Sequence, residues 1–192
     1  MKKKFEKFLE TYLSNLMNSI KSSKIDQIEK ASLKILETVK RKGTIFVCGN
    51  GGSAAISNHY VCDYLKFLRQ HTKLKPKVIS LSSNLETITA ISNDFSYDQV
   101  FKYQAESLLE KNDLLIIISS SGNSKNVKEV VKYSKKKGVK IIGFSGFNGG
   151  FLKKHSDISI HIPADNYGIS EDSHHILMHV ILQYLILKQK KR

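Results

Sequence analysis

Apolar residues recur at helical spacing over 5–20, where Phe5, Phe8, Leu9, Tyr12, Leu13 and Leu16 share one face. The pattern repeats over 25–42 with Ile25, Ile28, Ala31, Ile35, Leu36 and Val39. The next apolar stretch differs: Thr44-Ile45-Phe46-Val47-Cys48 is a short unbroken run, rich in β-branched and aromatic residues, which predicts a buried strand. Further strands are predicted at 76–80, 114–118, 139–144 and 158–162. Helical patterns separate them at about 54–67, 85–92, 99–109, up to 137, and 170–188, with Asn93-Asp94 expected in a turn. Strands that alternate with helices predict an α/β fold: one doubly wound, five-stranded parallel sheet with helices on both faces. Two N-terminal helices precede it. With no repeat, Pro-rich linker or composition shift, 1–192 reads as a single domain, divided into helices over 1–42 and an α/β core over 43–192. The apolar face of the first helix predicts an oligomer interface.

Two polar loops fall where such a sheet binds ligands, at the C-terminal ends of strands. The first is Cys48-Gly49-Asn50-Gly51-Gly52-Ser53, a strand–turn–helix passage. Glycine lets the backbone approach a ligand closely, and the helix that follows aims its free N–H groups and dipole at an anion. No Gly-Lys-Ser/Thr follows, so the loop is not a P-loop. No carboxylate ends the next strand at Leu81-Ser82-Ser83, which argues against a dinucleotide fingerprint. The second loop is Ser119-Ser120-Ser121-Gly122-Asn123-Ser124. Four hydroxyls around one glycine, directly before a helix, exceed what an N-cap needs and predict a phosphate cradle without lysine or metal.

Titratable residues gather on two helices. His59 and Asp63 are four residues apart and so share a face. On the last helix Glu171, His175 and His179 form a polar stripe on an otherwise apolar segment. If these groups meet in space, they make an acid/base or metal site, and imidazole with carboxylate suits zinc.

Composition narrows the choices. The 192 residues are 41% hydrophobic, as in a globular protein, and no apolar run reaches membrane-spanning length. The basic stretch Met1-Lys2-Lys3-Lys4 is not followed by an apolar signal core, and two cysteines without a CxxC pair suit a reducing compartment, so the expected location is the cytoplasm. The net charge of +14 raises nucleic-acid binding. The lysines are instead spread over helical faces and chain ends with few interleaved aromatics, which is the pattern of a solvated basic surface.

Taken together, Gly49-Asn50-Gly51-Gly52-Ser53-Ala54-Ala55, Ser92-Asn93-Asp94, the serine loop continued by Lys125-Asn126, Ser145-Gly146 with Gly149-Gly150, and His179 make the chain resemble the sugar isomerase (SIS) domain family, in its phosphoheptose isomerase branch. The resemblance implies a flavodoxin-like SIS fold and a homotetramer with sites at subunit interfaces. It implies aldose–ketose isomerisation of sedoheptulose 7-phosphate to D-glycero-D-manno-heptose 7-phosphate through an enediol, in lipopolysaccharide or capsule heptose biosynthesis. Ser119, Ser120, Ser121 and Ser124 would hold the phosphate, and Asn50, Gly51, Gly52, Ser53, Asn93 and Asp94 the sugar. Asp63 would be the base with His179 as partner and Glu171 as a second carboxylate. Zinc would be held by His59, Asp63, Glu171 and His179. Asp63 stands where the family has glutamate, Glu171 where it has glutamine, and Phe67 where an arginine is common. Those replacements keep two alternatives open: a non-catalytic SIS module that binds a phosphosugar or a regulatory protein partner, and an isomerase for a different phosphosugar. Neither a membrane nor a nucleic acid is an expected partner.

Overall fold

The computed structural model describes residues 2–190; Met1 and the end of the basic tail, Lys191 and Arg192, lie outside the described residues. Two amphipathic helices open the chain, α1 (Lys2–Lys21) and α2 (Ile25–Lys40). Strand β1 (Thr44–Gly49) leads into α3 (Gly52–Cys62), which runs on as a π-helical stretch (Asp63–Leu68) and a short turn, α4 (Arg69–His71). Next come β2 (Lys77–Ser80), α5 (Leu85–Asp94), a 3₁₀ turn (Tyr97–Gln99) and α6 (Val100–Leu108). The rest alternates strictly: β3 (Leu114–Ser119), α7 (Lys125–Lys137), β4 (Lys140–Ser145), α8 (Gly150–His155), β5 (Ile158–His161) and α9 (Tyr167–Gln189).

The five strands are all parallel, in the order β2-β1-β3-β4-β5. Their side chains alternate between two apolar layers, as the strand period of two requires. Ile45, Val47, Leu114, Ile116, Ile118, Ile142 and Phe144 pack with Ile35 of α2, Tyr60 of α3 and Leu177 and Ile181 of α9. Phe46, Cys48, Leu115, Ile117 and Ile141 face the other way, onto Val100 and Phe101 of α6 and Val127, Val130 and Val131 of α7. In β1, β3 and β4, burial on both faces is why the strands read as apolar runs rather than as alternating ones. The strand order reverses between β1 and β3, so the glycine loop after β1 and the serine loop after β3 both border the topological switch point.

Several boundaries differ from the sequence expectation. Helix α3 starts at Gly52, two residues early, because Gly51 turns the chain with φ +54°, in the region that favours glycine. Asn93 and Asp94 are not in a turn. They are the last residues of α5, which closes with the Phe95 N–H donating to the Ile91 carbonyl at 3.0 Å. Helix α9 starts at Tyr167 rather than 170, because the Asn166 side chain caps it by accepting from the Ile169 N–H at 3.0 Å. The six-residue α8 spans less than two turns, too few for a periodic signal. The π-helical stretch begins at Asp63, and such insertions are frequent at functional positions.

Helix α1 lies on α9. Its Tyr12, Leu16 and Ile20 pack against the core, and the Tyr12 hydroxyl donates to Asp172 Oδ2 at 2.7 Å. Along and beside the same apolar stripe, Phe5, Phe8, Leu13 and Met17 stay more than half exposed. Among the described residues, no helix is long and apolar enough to cross a membrane.

Candidate active site

The glycine loop brings backbone and carboxylate together. A Cβ on Gly52 would strike the Glu171 carboxylate, so α9 can set that side chain on the first turn of α3 only because residue 52 is glycine. Burial, and then the charge of Asp172, push the Glu171 carboxyl above its ordinary range.

The serine loop faces it. Ser119 Oγ accepts from the Gly122 N–H and Ser121 Oγ from the Asn123 N–H, each at 3.2 Å. Ser124 occupies the N-cap position of α7 but makes no side-chain capping bond, so its hydroxyl is not spent on the helix. Ser120 Oγ is buried and has no hydrogen-bond partner. Capping therefore does not account for these hydroxyls. With Asn50, Ser53, Tyr167 and Glu171, the four serines line a cavity of about 110 Å³.

A reciprocal amide pair ties the two loops together. Asn50 Nδ2 donates to Asn126 Oδ1 at 3.0 Å, and Asn126 Nδ2 returns a bond to Asn50 Oδ1 at 2.9 Å. The Tyr97 hydroxyl donates to the same Asn50 oxygen at 2.8 Å. Of the sugar-binding residues expected from sequence, Asn50 and Ser53 line the cavity; Gly51 and Gly52, between them in the chain, are not among its lining residues. Asn93 and Asp94 do not line it. They are exposed, and Asn93 Nδ2 donates to Asp94 Oδ1 at 2.9 Å.

Farther along α3 and α9 lies a second cluster. Asp63 Oδ2 sits 3.4 Å from His59 Nε2 and 3.1 Å from His179 Nε2, and the two imidazole nitrogens are 3.2 Å apart. His175 joins them: ring nitrogens of His59, His175 and His179 all lie within 4.8 Å of one another. Four-coordinate zinc with nitrogen and oxygen ligands holds neighbouring ligand atoms about 3.3 Å apart. The His59, Asp63 and His179 donors fit that spacing. Glu171 is not part of this group. Eight residues separate it from His179, about 12 Å along a helix axis.

Sequence reasoning did not select Tyr97, Asn126 and Tyr167 as site residues; it placed His175 in the acid/base or metal stripe of the last helix, but the zinc set implied by the resemblance left it out. Asn126 had a usable signal, a polar residue one position inside the helix that follows the serine loop. Tyr97 and Tyr167 had none, since each reaches the site only through the fold.

Residues 8–146 match the model of the SIS domain family. The phosphoheptose isomerase of Helicobacter pylori (strain Shi470) is 39% identical over 77% of this chain and 76% of its own length. That of Aliarcobacter butzleri is 38% identical over 83% of this chain and 84% of its own. The solved structure of phosphoheptose isomerase from Neisseria gonorrhoeae superposes with a TM-score of 0.86 at 25% identity, covering 96% of this chain and 97% of that one. The fold and the paired loops define an SIS protein; the chain belongs to that family, in its phosphoheptose isomerase branch.

Proposed function

We propose that this isomerase interconverts sedoheptulose 7-phosphate and D-glycero-D-manno-heptose 7-phosphate through an enediol. The observation that carries the reading is the contact of Asp63 Oδ2 with both His59 Nε2 and His179 Nε2, at 3.4 and 3.1 Å. A carboxylate held between two imidazoles is a proton-transfer group with a partner ready to relay the proton. The serine hydroxyls and the N-terminus of α7 hold the phosphate. Asn50 and Ser53 orient the sugar, whose reactive carbons extend away from the cradle along α9. Asp63 removes the proton from the carbon beside the carbonyl and returns it to the former carbonyl carbon, and His179 moves a proton between the adjacent oxygens. Glu171, at the cavity wall, is the second carboxylate and hydrogen-bonds the substrate. His59, Asp63 and His179 would hold zinc, which would then supply Lewis-acid polarisation of the sugar oxygens in place of the imidazole relay.

A homotetramer with sites near subunit interfaces belongs to the same reading. Its support is apolar surface in the right places: Phe5, Phe8 and Leu13 on α1, and Ile176 and Val180 on α9 beside the imidazoles. The cytoplasm is the proposed location, in keeping with the free thiols Cys48 and Cys62. The product suits heptose supply for lipopolysaccharide or capsule.

The test follows solvent deuterium into sedoheptulose 7-phosphate by NMR. Wild type is expected to exchange and form the aldose, and Asp63→Asn to slow exchange by about 10²–10⁴-fold. Tight binding of the ketose phosphate without exchange would return the protein to the binding-module class. Wild-type exchange in both Asp63→Asn and Glu171→Gln would remove the carboxylate assignment.

A further inference from the structure

The resemblance places Glu171 with His59, Asp63 and His179 as the zinc ligands. The side-chain geometry points to a different set, and we infer that His175, not Glu171, completes the metal site of this chain. The inference rests on the reading of the His59–Asp63–His179 cluster as a zinc site.

Three observations carry it. First, His175 contributes a ring nitrogen to the group that lies within 4.8 Å, together with His59 and His179, and Glu171 contributes none. The rings approach edge to face or tilted, with centroids 4.7 Å apart for His59–His175 and 4.6 Å for His175–His179. Second, His175 Nε2 is buried without a hydrogen-bond partner. A buried imidazole nitrogen is a costly group to leave unpaired, and a ligand that accepts its lone pair removes the cost. Third, helix geometry favours the set. His59 with Asp63, and His175 with His179, are each four residues apart, so each helix presents two donors from one face. Packed together, the two helices bring His175 and His179 beside His59, and Asp63 touches His59 and His179. Glu171 is two turns before His179, and its carboxylate rests on Gly52, seven residues and about 10 Å of helix before His59. A glutamate in that place reaches the serine cavity instead.

The consequence is a division of labour. The metal set is His59, Asp63, His175 and His179, and Glu171 remains uncoordinated at the substrate cavity. This chain thus replaces a ligand two turns from His179 with an imidazole one turn from it.

The experiment uses the full-length protein and two metals. Zinc content after dialysis and zinc affinity by competition with a chromophoric chelator are measured for wild type, His175→Ala, His175→Asn and Glu171→Gln. The visible absorption of the cobalt-substituted proteins is recorded alongside, with circular dichroism as the folding control. His175→Ala and His175→Asn are expected to weaken zinc binding at least tenfold and to change the cobalt bands, with Glu171→Gln unchanged in both. Nitrogen NMR of the histidine-labelled wild type is expected to move three imidazoles on zinc addition, which covers the case in which the variants fail to fold. Unchanged zinc affinity in a folded His175 variant, a loss in Glu171→Gln, or movement of only two imidazoles overturns the proposal. So does a wild type that binds neither metal. The isomerase reading is judged separately, by deuterium exchange in the wild type.

Discussion

His59 Nε2 and His179 Nε2 lie 3.2 Å apart although 120 residues separate them in the chain, and Asp63 Oδ2 touches both. Groups this close act as a unit, so their contributions are not additive. His59→Ala and His179→Ala are each expected to lower kcat by about 10²-fold or more. The double variant is expected to be little worse than the poorer single one. A double-mutant cycle in kcat checks this, and fully multiplicative losses would mean that the two imidazoles work independently.

The Asn50–Asn126 pair joins loops that leave different strands. Asn126→Ala removes both bonds of the pair and the one its Oδ1 accepts from the Val127 N–H, and strands the Asn50 amide beside Tyr97. The expected cost is about 1–3 kcal/mol of stability, read by chemical denaturation. The expected kinetic signature is a raised KM for the phosphosugar with a smaller effect on kcat, because the pair orients both loops but touches no proton-transfer group.

On α1, Phe8 and Leu13 are 64% and 51% exposed, so their replacement leaves the core of one protomer intact. The variant Phe8→Glu/Leu13→Glu is expected to keep its circular dichroism and to sediment as a smaller species than wild type. A wild-type sedimentation coefficient in that variant would assign the face another role.

Asp157 gives a pH-dependent handle on the edge of the sheet. Burial works to raise its pKa, but the Lys140 ammonium at 2.7 Å and the Ile141 N–H at 2.9 Å outweigh it and hold the carboxyl below its ordinary range. The folded state therefore binds this proton less readily than the unfolded chain. The stabilisation is fully present above the unfolded pKa and is lost as the pH falls through the folded one. Unfolding midpoints measured from about pH 5 down to pH 3 should fall less steeply for Asp157→Asn than for wild type.

Much of this site was legible before folding. The glycine loop, the serine loop and the His59–Asp63 pair are local patterns, because a turn needs particular residues in sequence and a helix face follows from a spacing of four. The unbroken apolar runs carried the strands for the same local reason. What escaped notice depended on contacts across the chain. Asn126 has meaning only opposite Asn50, and Tyr97 only beside the oxygen it donates to. Nothing near Tyr97 in sequence signals either partner. The turn expected at Asn93-Asp94 was misplaced because these turn-favouring residues were carried into the last turn of α5 by the pattern before them.

By itself, then, the sequence determined the α/β class, the strands, the two ligand loops and the residue types able to move a proton, since each depends on interactions a few residues long. The tertiary structure alone decided which titratable side chains share a space. It set Asp63 between His59 and His179, drew His175 in beside them, and left Glu171 on Gly52. The physical reason is the docking of α9 along α3. A helix fixes only which residues share its own face, and the partner presented to that face depends on how the two helices pack.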